Sequence, residues 1–278
     1  MIRPVQCGDL DQAPELLARA FSGYRDALLY DAEVLELFRR LWWTPLSGVV
    51  ADVDGRLVGM AMVGLRAARF DGRALTVAHV GPVAVAPQFQ GHGLGSAMMA
   101  ALEPQADLLT LTTNDAENIR GFYEDRGYGV VCRFQPQVRD LRSRPLDMPT
   151  SATGGDRAVV EAHQEAGRPF HHGAARVRAI QWPVTSRRSG RIETLRTCQL
   201  LAREGEGPDL AAALDDACTW ARMSRCELIW GEPRVTQGLP GFTTGAGAGV
   251  SRLVRPISPI GEQVAMKARA WEGSGPSP

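Results

Sequence analysis

The chain has no net charge, and this excludes one broad class of partner. Its 31 Asp and Glu side chains balance 31 Lys and Arg side chains, so the formal net charge at pH 7 is zero. A protein that binds the phosphate backbone of nucleic acid through a basic face needs an excess of positive charge. The composition therefore predicts no nucleic-acid partner.

Long hydrophobic runs are also missing, and we expect no secretory leader. No apolar stretch approaches the roughly 20 residues of a membrane-spanning helix. The amino terminus, MIRPVQCGDL, lacks the basic and then apolar pattern of a signal peptide. We therefore expect no membrane partner and a cytoplasmic protein.

Cysteine is scarce, and its spacing fits neither a metal site nor a disulfide framework. None of the five cysteines belongs to a CxxC pair, so we expect reduced thiols. They are Cys7, Cys132, Cys198, Cys218 and Cys226. The adjacent His171 and His172 have no third ligand at a useful spacing. We expect no metal cofactor.

The chain does have the length and apolar content of one large or two medium soluble domains. It has 278 residues, of which 44% are hydrophobic and 22% are charged. Residues 142–156, RSRPLDMPTSATGGD, are rich in Pro, Ser, Thr and Gly, which is typical of a linker. We predict a first domain at 1–143, a linker at 144–156, a second domain at 157–271 and a disordered tail at 272–278.

The first half alternates strand and helix patterns. Its apolar spacing predicts the order β-α-α-β-β-β-α-β-α-β, with a hairpin at Asp54-Gly55, a dipeptide that strongly favours a two-residue turn. The run ALTVAHVGPVAVAP is long and almost uncharged, which suggests a strand that is buried on both faces. This order predicts an α/β (α+β) fold with a mixed central sheet flanked by helices.

Three alternating glycines follow that strand and precede a helix, in the sequence QGHGLGS at residues 90–96. The N–H groups of a first helical turn point outward, and the helix dipole favours an anion there. Glycines let that anion touch the backbone. The loop matches neither the GxxxxGK[ST] nor the GxGxxG phosphate motif. We therefore predict a phosphate-binding loop of another kind.

The loop has a counterpart in a known family. Gln90-Gly91-His92-Gly93-Leu94-Gly95 resembles the Q/R-x-x-G-x-G/A pyrophosphate loop of the GNAT acetyltransferase superfamily. The preceding VAVAP resembles strand 4 of that family. The segment NIRGFYEDRGYGVV, with Asn118, Tyr123 and Gly127, resembles its N…FYe..GF segment. The likeness covers residues 1–143 in the family's order and spacing.

The resemblance implies a GNAT fold that binds acetyl-CoA in a gap between two strands of the sheet. It implies that the pyrophosphate meets the backbone amides of Gln90, Gly91, His92, Gly93, Leu94, Gly95 and Ser96. It also implies that the pantetheine arm pairs with exposed backbone groups of Val83, Ala84 and Val85. Pro82 lacks an N–H and fits a deformed strand, where the family has a bulge. Asn118 either binds the pantetheine arm or caps a helix.

Two side chains are candidates for the chemistry that the resemblance implies, in which a neutral amine attacks a thioester and a thiolate leaves. Tyr123 occupies a place where the family often has a tyrosine, and a phenol can protonate the departing thiolate. The alternative is an aromatic packing residue. His79 lies near where the family often has a carboxylate base, and an imidazole suits the removal of the amine proton. The alternative is a buried histidine that is hydrogen-bonded to a neighbour.

These residues predict an acetyl-CoA-dependent N-acetyltransferase. We expect it to transfer an acyl group to a primary amine of a small molecule by direct attack in a ternary complex. Two alternatives stay open, a protein lysine or N-terminal acetyltransferase and a non-catalytic acyl-CoA sensor. An intact Tyr123 and strand 4 count against the sensor.

The second half shows a fainter version of the same pattern. Its spacing predicts a helix at 157–166, a strand at 192–202, a helix at 210–225, and strands at CELIW and RLVRPI. The order strand-helix-strand repeats part of the first half, so we predict a second, degenerate GNAT-like α/β half. It lacks a QxxGxG loop, so we expect it to bind no acetyl-CoA. It would instead wall the acceptor site or form a homodimer.

Overall fold

The computed structural model of the chain divides into two compact units. Unit 1 comprises Met1–Arg133, Thr185–Glu193 and Val250–Pro278, and unit 2 comprises Phe134–Val184 and Thr194–Gly249. The structure describes residues 1–24, 27–28, 30–43, 45–102, 106–114, 119–135, 137–140, 167–188, 191–236, 238–239, 242–244 and 250–272. The predicted linker at 144–156, the predicted helix at 157–166 and residues 273–278 of the predicted tail lie outside these ranges.

The secondary structure follows the chain in this order. The strands are β1 Ile2–Pro4, β2 Ala27–Leu28, β3 Ser47–Val53, β4 Arg56–Phe70, β5 Arg73–Val85, β6 Leu108–Asn114, β7 Gly129–Phe134, β8 Gln137–Asp140, β9 Arg168–His172, β10 Ala175–Arg188, β11 Arg191–Glu204, β12 Leu228–Gly231, β13 Thr243–Thr244 and β14 Val250–Pro256. The helices are α1 Ala13–Ala20, α2 Ala32–Leu41, α3 Leu94–Leu102, α4 Arg120–Glu124, α5 Gly207–Met223, α6 Pro233–Thr236 and α7 Pro259–Glu272.

Unit 1 is built on a mixed sheet with the strand order β1-β3-β4-β5-β6-β14-β7. β5 and β6 run parallel, whereas β3 with β4, β4 with β5, and β6 with β14 pair antiparallel. Side chains of α1 and α2 form a core on one face, and those of α3 and α4 form a core on the other. This confirms the predicted mixed sheet flanked by helices.

Asp-Gly pairs form both hairpins of the central strands. Asp54 and Gly55 join β3 to β4 with φ of 52° and 77°, and Asp71 and Gly72 join β4 to β5 with φ of 48° and 78°. Positive φ at both central residues is the geometry of a type I′ turn, whose twist matches that of the flanking strands. The predicted hairpin at Asp54-Gly55 is confirmed.

The strand that is buried on both faces is β4, and not β5 as predicted. Every residue of β4 from Leu57 to Gly64 is buried, because alternate side chains enter the two cores. The prediction of two-sided burial for β5 is wrong, since buried and half-buried residues alternate there from Ala78 to Val85. A strand that lacks a neighbour along part of its edge keeps this partial exposure.

A strand from near the end of the chain completes the sheet of unit 1. β14 lies between β6 and β7 and pairs with β6 along seven residues, from Val250 opposite Asn114 to Pro256 opposite Leu108. Ser251 is fully buried in this strand. From its position in the sequence this run is predicted to belong to the second half, because a local pattern identifies a strand but not its partner.

Unit 2 has its own sheet, in which β13, β8, β12, β11 and β10 are neighbours in that order and β9 pairs with β10. One face of α5 forms a core with this sheet, through Leu210, Leu214 and Ala217 among others. The predicted strand at 192–202 is confirmed by β11, the helix at 210–225 by α5 and the strand CELIW by β12. The β9–β10 hairpin was not predicted from the sequence. That this half is a degenerate GNAT-like domain stays a prediction.

Candidate active site

The two central strands β5 and β6 pair over three residues and then separate. Their last pair is His79 opposite Thr110, and no other follows along the described residues of these strands. Beyond that pair β5 still pairs with β4 as far as Val85, and β6 still pairs with β14 as far as Asn114. Each strand therefore keeps one neighbour, and a gap opens between them.

The direction of the backbone decides which groups of β5 face this gap. The N–H and C=O of one strand residue point to one side, and those of the next residue point to the other. The N–H of Ala86 donates to the carbonyl of Val58 on β4 at 2.8 Å, so Ala84 also directs its backbone groups to β4. Val83 and Val85 direct theirs into the gap. Of the three residues predicted to pair with pantetheine, Ala84 is thus already committed to the sheet.

A bulge in β5 lies just before these residues. The β4–β5 register shifts between Ala61 and Val63, so Gly81 and Pro82 together stand opposite Met62. The deformation that Pro82 predicts is confirmed, since a residue without an N–H is accommodated where the ladder is interrupted. The extra residue sets which of the following backbone groups face the gap.

The glycines of the loop fall into two kinds. Gly91 and Gly93 have φ of +78°, and a Cβ added at either position would meet nothing within 4 Å. Their backbone adopts the left-handed conformation and is open where a side chain would stand. Gly95 differs, because an added Cβ would lie 3.3 Å from Cζ of Phe122. This third glycine permits close packing between α3 and α4.

Hydrogen bonds hold the loop at the end of β5. The side-chain amide of Gln90 donates to the carbonyl of Val85 at 2.9 Å. The Nδ1 atom of His92 lies 2.8 Å from the carbonyl oxygen of Gln90. Gln90 therefore links the loop to the strand edge that faces the gap, and His92 lies within the loop, as predicted.

The start of α3 directs backbone donors outward. Its first turn closes with a hydrogen bond from the N–H of Ala97 to the carbonyl of Gly93 at 3.0 Å. The amides between these residues have no acceptor inside the helix, and the helix dipole adds partial positive charge at this end. They belong to Leu94, Gly95 and Ser96. An anion placed here would meet several N–H groups and no side chain from Gly93.

Arg126 brings a positive charge to this loop, and this role was not predicted from the sequence. No Lys or Arg occurs between residues 74 and 119. Arg126 follows α4, and its guanidinium donates to the Ser96 hydroxyl and to the carbonyl of Phe122. It stacks over the Phe122 ring, with Cζ 3.7 Å from the ring centroid. The sequence does contain a signal, since a phosphate-binding loop without any Lys or Arg of its own needs a positively charged side chain from another segment.

Tyr123 lies on α4 and is 9% exposed. Its ring makes edge contacts with Phe122 at 5.0 Å and with Tyr128 at 5.8 Å between centroids. Burial raises the pKa of Tyr123 to about 12, and the nearby phenols of Tyr24 and Tyr30 act in the same direction. The phenol therefore stays protonated at neutral pH.

A glycine ends the helix that carries Tyr123. Gly127 has φ of +79°, and the N–H of Tyr128 donates to the carbonyl of Tyr123 at 3.2 Å. A glycine in this conformation after the last turn is a common helix terminator, which explains the glycine of the FYEDRGY segment. Asn118, predicted to bind the pantetheine arm or to cap this helix, lies outside the described residues.

His79 lies where β5 and β6 separate. Its Nδ1 atom is 3.2 Å from Oγ1 of Thr110, the residue opposite it in the last pair of the two strands. The contact fixes the ring at the inner end of the gap. It is compatible with both readings of His79, a base that is oriented by a neighbour and a buried histidine with a hydrogen-bond partner.

The described residues contain neither a metal-binding cluster nor a membrane-spanning helix. No group of three or more His, Cys, Asp or Glu side chains is arranged there to hold a metal ion. Of the adjacent His171 and His172, which the sequence gives no third ligand, His172 places its Nε2 atom 3.1 Å from Oδ2 of Asp216. No helix in the described part of the chain is long and apolar enough to cross a membrane.

Comparisons with known proteins bear on the domain that holds this gap. The sequence model of the acetyltransferase (GNAT) family matches residues 12–128. No curated protein matches the chain. Similar solved structures include a conserved protein of unknown function from Enterococcus faecalis, described as a probable N-acyltransferase, with 14% identity and a TM-score of 0.52 over 92% of this chain and 72% of that one.

Two further solved structures are similar along most of the chain. N-myristoyltransferase from Saccharomyces cerevisiae with bound myristoyl-CoA has 11% identity and a TM-score of 0.55, over 91% of this chain and 82% of that one. A GCN5-related N-acetyltransferase from Anabaena variabilis has 11% identity and a TM-score of 0.53, over 93% and 73%. At such identities these structures establish the fold alone.

The family match includes the residues from which the site is built. The separation of β5 from β6, the glycine loop and Tyr123 all lie within residues 12–128. Enzymes of this family typically take their acyl group from an acyl-CoA. Residues 12–128 therefore belong to the acetyltransferase (GNAT) family, and the protein is an acyltransferase.

Proposed function

We propose that the protein transfers an acetyl group from acetyl-CoA to the primary amine of a small molecule, by direct attack of the amine in a ternary complex. The observation that carries the proposal is the gap between β5 and β6, with the glycine loop at its end. An extended arm that contains amides can pair with the backbone of Val83 and Val85 as another strand would. The pantetheine arm of CoA has this form.

The diphosphate of the donor would lie at the glycine loop. The outward N–H groups of the first turn of α3 would donate hydrogen bonds to it, and Gly91 and Gly93 leave room for it. Arg126 would add a planar guanidinium, which suits phosphate oxygens better than a point charge does. The loop has no Lys or Arg of its own, so this contact would supply its positive charge.

The reaction joins the amine nitrogen to the acetyl carbonyl carbon and breaks the bond from that carbon to sulfur. His79, which Thr110 orients, is the candidate to accept the proton that the amine nitrogen loses. Tyr123, with a pKa of about 12, is a weaker acid than a thiol, whose pKa is about 8.5. We therefore infer that Tyr123 donates a hydrogen bond to the departing sulfur as negative charge develops.

Thiol release tests this function against its alternatives. Free CoA thiol is measured after acetyl-CoA is mixed with small primary amines, and separately with peptides that carry a lysine or a free amino terminus. Release with the small amines supports the proposal. Release with peptides alone would instead favour a protein acetyltransferase. Acetyl-CoA binding without release in either panel would favour a sensor.

Gly93→Glu is expected to weaken acetyl-CoA binding by at least about tenfold, because the new carboxylate would stand where we place the diphosphate. Gly72→Glu is the matched control, since Gly72 also has φ of +78° and its added Cβ would also meet nothing within 4 Å. Both variants carry the same strain and charge, so their Tm values should fall alike. Calorimetric titration measures both dissociation constants. Equal affinities would contradict the phosphate assignment.

Arg126→Gln is expected to weaken the binding of CoA by about tenfold relative to that of pantetheine, which has no phosphate. The control is Arg120→Gln on α4, the helix that Arg126 follows, where the Arg120 side chain pairs with Glu124 at 3.2 Å. Both changes remove one positive charge. Calorimetry with the two ligands separates a specific phosphate contact from a general charge effect, which would weaken CoA binding equally in the two variants.

A further inference from the structure

A chain of aromatic rings runs through the α1–α2 segment. The centroid distances are 5.2 Å for Phe21–Tyr24, 5.9 Å for Phe21–Tyr30, 5.8 Å for Tyr30–Phe38, 4.9 Å for Phe38–Trp42 and 5.3 Å for Phe38–Trp43. Trp43, at one end of this row of rings, is fully buried in the core, whereas the other rings are half-buried. We call these half-buried side chains the aromatic cluster: Phe21, Tyr24, Tyr30, Phe38 and Trp42.

The aromatic cluster and Tyr123 belong to opposite faces of the sheet. Four rings of the aromatic cluster, all but that of Tyr24, pack on the core that contains Ala84 of β5. Tyr123 packs in the other core, against which Val85 lies. A sheet separates its two faces except where neighbouring strands part, and β5 and β6 part beyond their third pair. Ala84 lies on β5 beyond the last residue that pairs with β6, so the core on which these rings pack borders the separated part of β5. The gap is therefore where the cluster approaches the reacting groups.

The cluster contains aromatic rings and the neutral phenol of Tyr30. Burial raises the pKa of Tyr30 to about 12, so this phenol is uncharged at neutral pH. The charged side chains Glu36 and Arg39 of α2 are exposed and pair with each other at 2.6 Å, so their opposite charges offset each other. Aromatic faces attract an ammonium and bury apolar surface. Burial also lowers the pKa of an ammonium, which favours the neutral amine that attacks the thioester.

We propose that the aromatic cluster binds the acceptor, and that the acceptor is a primary amine carried on a flat apolar group, an arylalkylamine in chemical class. The inference rests on the proposed function and specifies its substrate. A flat group stacked on the cluster would hold the attached amine toward the gap and the acetyl carbon. A short or strongly polar amine would leave the ring faces uncovered.

Two amines that differ by a ring test the inference, 2-phenylethylamine and propylamine. Calorimetry on the protein saturated with CoA measures their binding, and thiol release from acetyl-CoA measures kcat/KM. Both quantities are expected to favour 2-phenylethylamine by at least about tenfold. Tyr24→Leu and Phe38→Leu should each reduce this preference by at least about threefold. Phe70→Leu is the control, because Phe70 lies in a separate core cluster and its replacement should keep the preference.

The outcomes distinguish the inference from the function on which it rests. A binding preference without thiol release would retain the aromatic site and overturn the proposed function. Thiol release without a preference, or a preference that survives both Tyr24→Leu and Phe38→Leu, would overturn the inference. It would also be overturned if octanoyl-CoA were the better donor and lost that advantage in the same two variants, since the cluster would then hold the acyl chain.

Discussion

A chain that ends at residue 150 is expected to lose the fold of unit 1 and, with it, all acetyl-CoA binding. β14 lies beyond this point and supplies the strand between β6 and β7. Ser251 and Leu253 of this strand are fully buried, and Leu253 packs in the same core as Tyr123. Without β14, two strand edges and part of that core are exposed. Urea titration followed by circular dichroism should show a cooperative transition for the whole chain and none for the truncated one.

Leu253→Ala examines the same strand without shortening the chain. The change is expected to lower the free energy of unfolding by about 3 kcal/mol, because a fully buried leucine leaves a cavity when it is truncated. Ile257→Ala is the control, since Ile257 follows the strand and is 37% exposed; its cost should stay below about 1 kcal/mol. A truncated chain that unfolds cooperatively and binds acetyl-CoA would instead support residues 1–143 as a self-contained domain.

Features that depend on neighbouring residues could be predicted from the sequence. The Asp54-Gly55 turn follows from the conformations that these two residues tolerate. The glycine loop at 90–96 is recognisable because a strand end, a helix start and residues without side chains occur together. Gly127 marks the end of the helix that carries Tyr123 for the same kind of reason. In each case the determining interactions span only a few residues.

Features that depend on distant pairing could not be predicted. The run that forms β14 is recognisable as a strand, but its partner β6 is far earlier in the chain, and period-2 alternation carries no information about partners. The bulge at Pro82 could be anticipated, yet only the observed register shows that Ala84 turns its backbone to β4. The contact between Arg126 and Ser96 joins the residues after α4 to α3, because the arginine side chain is long. These positions were fixed by tertiary packing and not by local propensity.

Tyr123→Phe is expected to lower kcat by about 10²-fold, because the hydroxyl is the group that would stabilise the departing sulfur. The ring and its packing remain, so the dissociation constant of acetyl-CoA should change by less than about twofold. Tyr128→Phe is the matched control, since Tyr128 is 3% exposed in the same core and its ring lies 5.8 Å from that of Tyr123. Steady-state kinetics and calorimetry on both variants give the two quantities. An equal loss of kcat in Tyr128→Phe would indicate a packing effect.

The pH dependence of the same kinetics separates Tyr123 from His79. With a pKa of about 12, Tyr123 does not titrate near neutrality, so Tyr123→Phe should lower kcat/KM by one factor at every pH between about 6 and 9. If His79 accepts the amine proton, its protonated form is inactive, and wild-type kcat/KM falls toward acid pH more steeply than protonation of the free amine alone would cause. His79→Ala should then be slow and lack that additional acidic limb. A variant that retains the limb would show that another group accepts the proton, and the contact with Thr110 would then be structural.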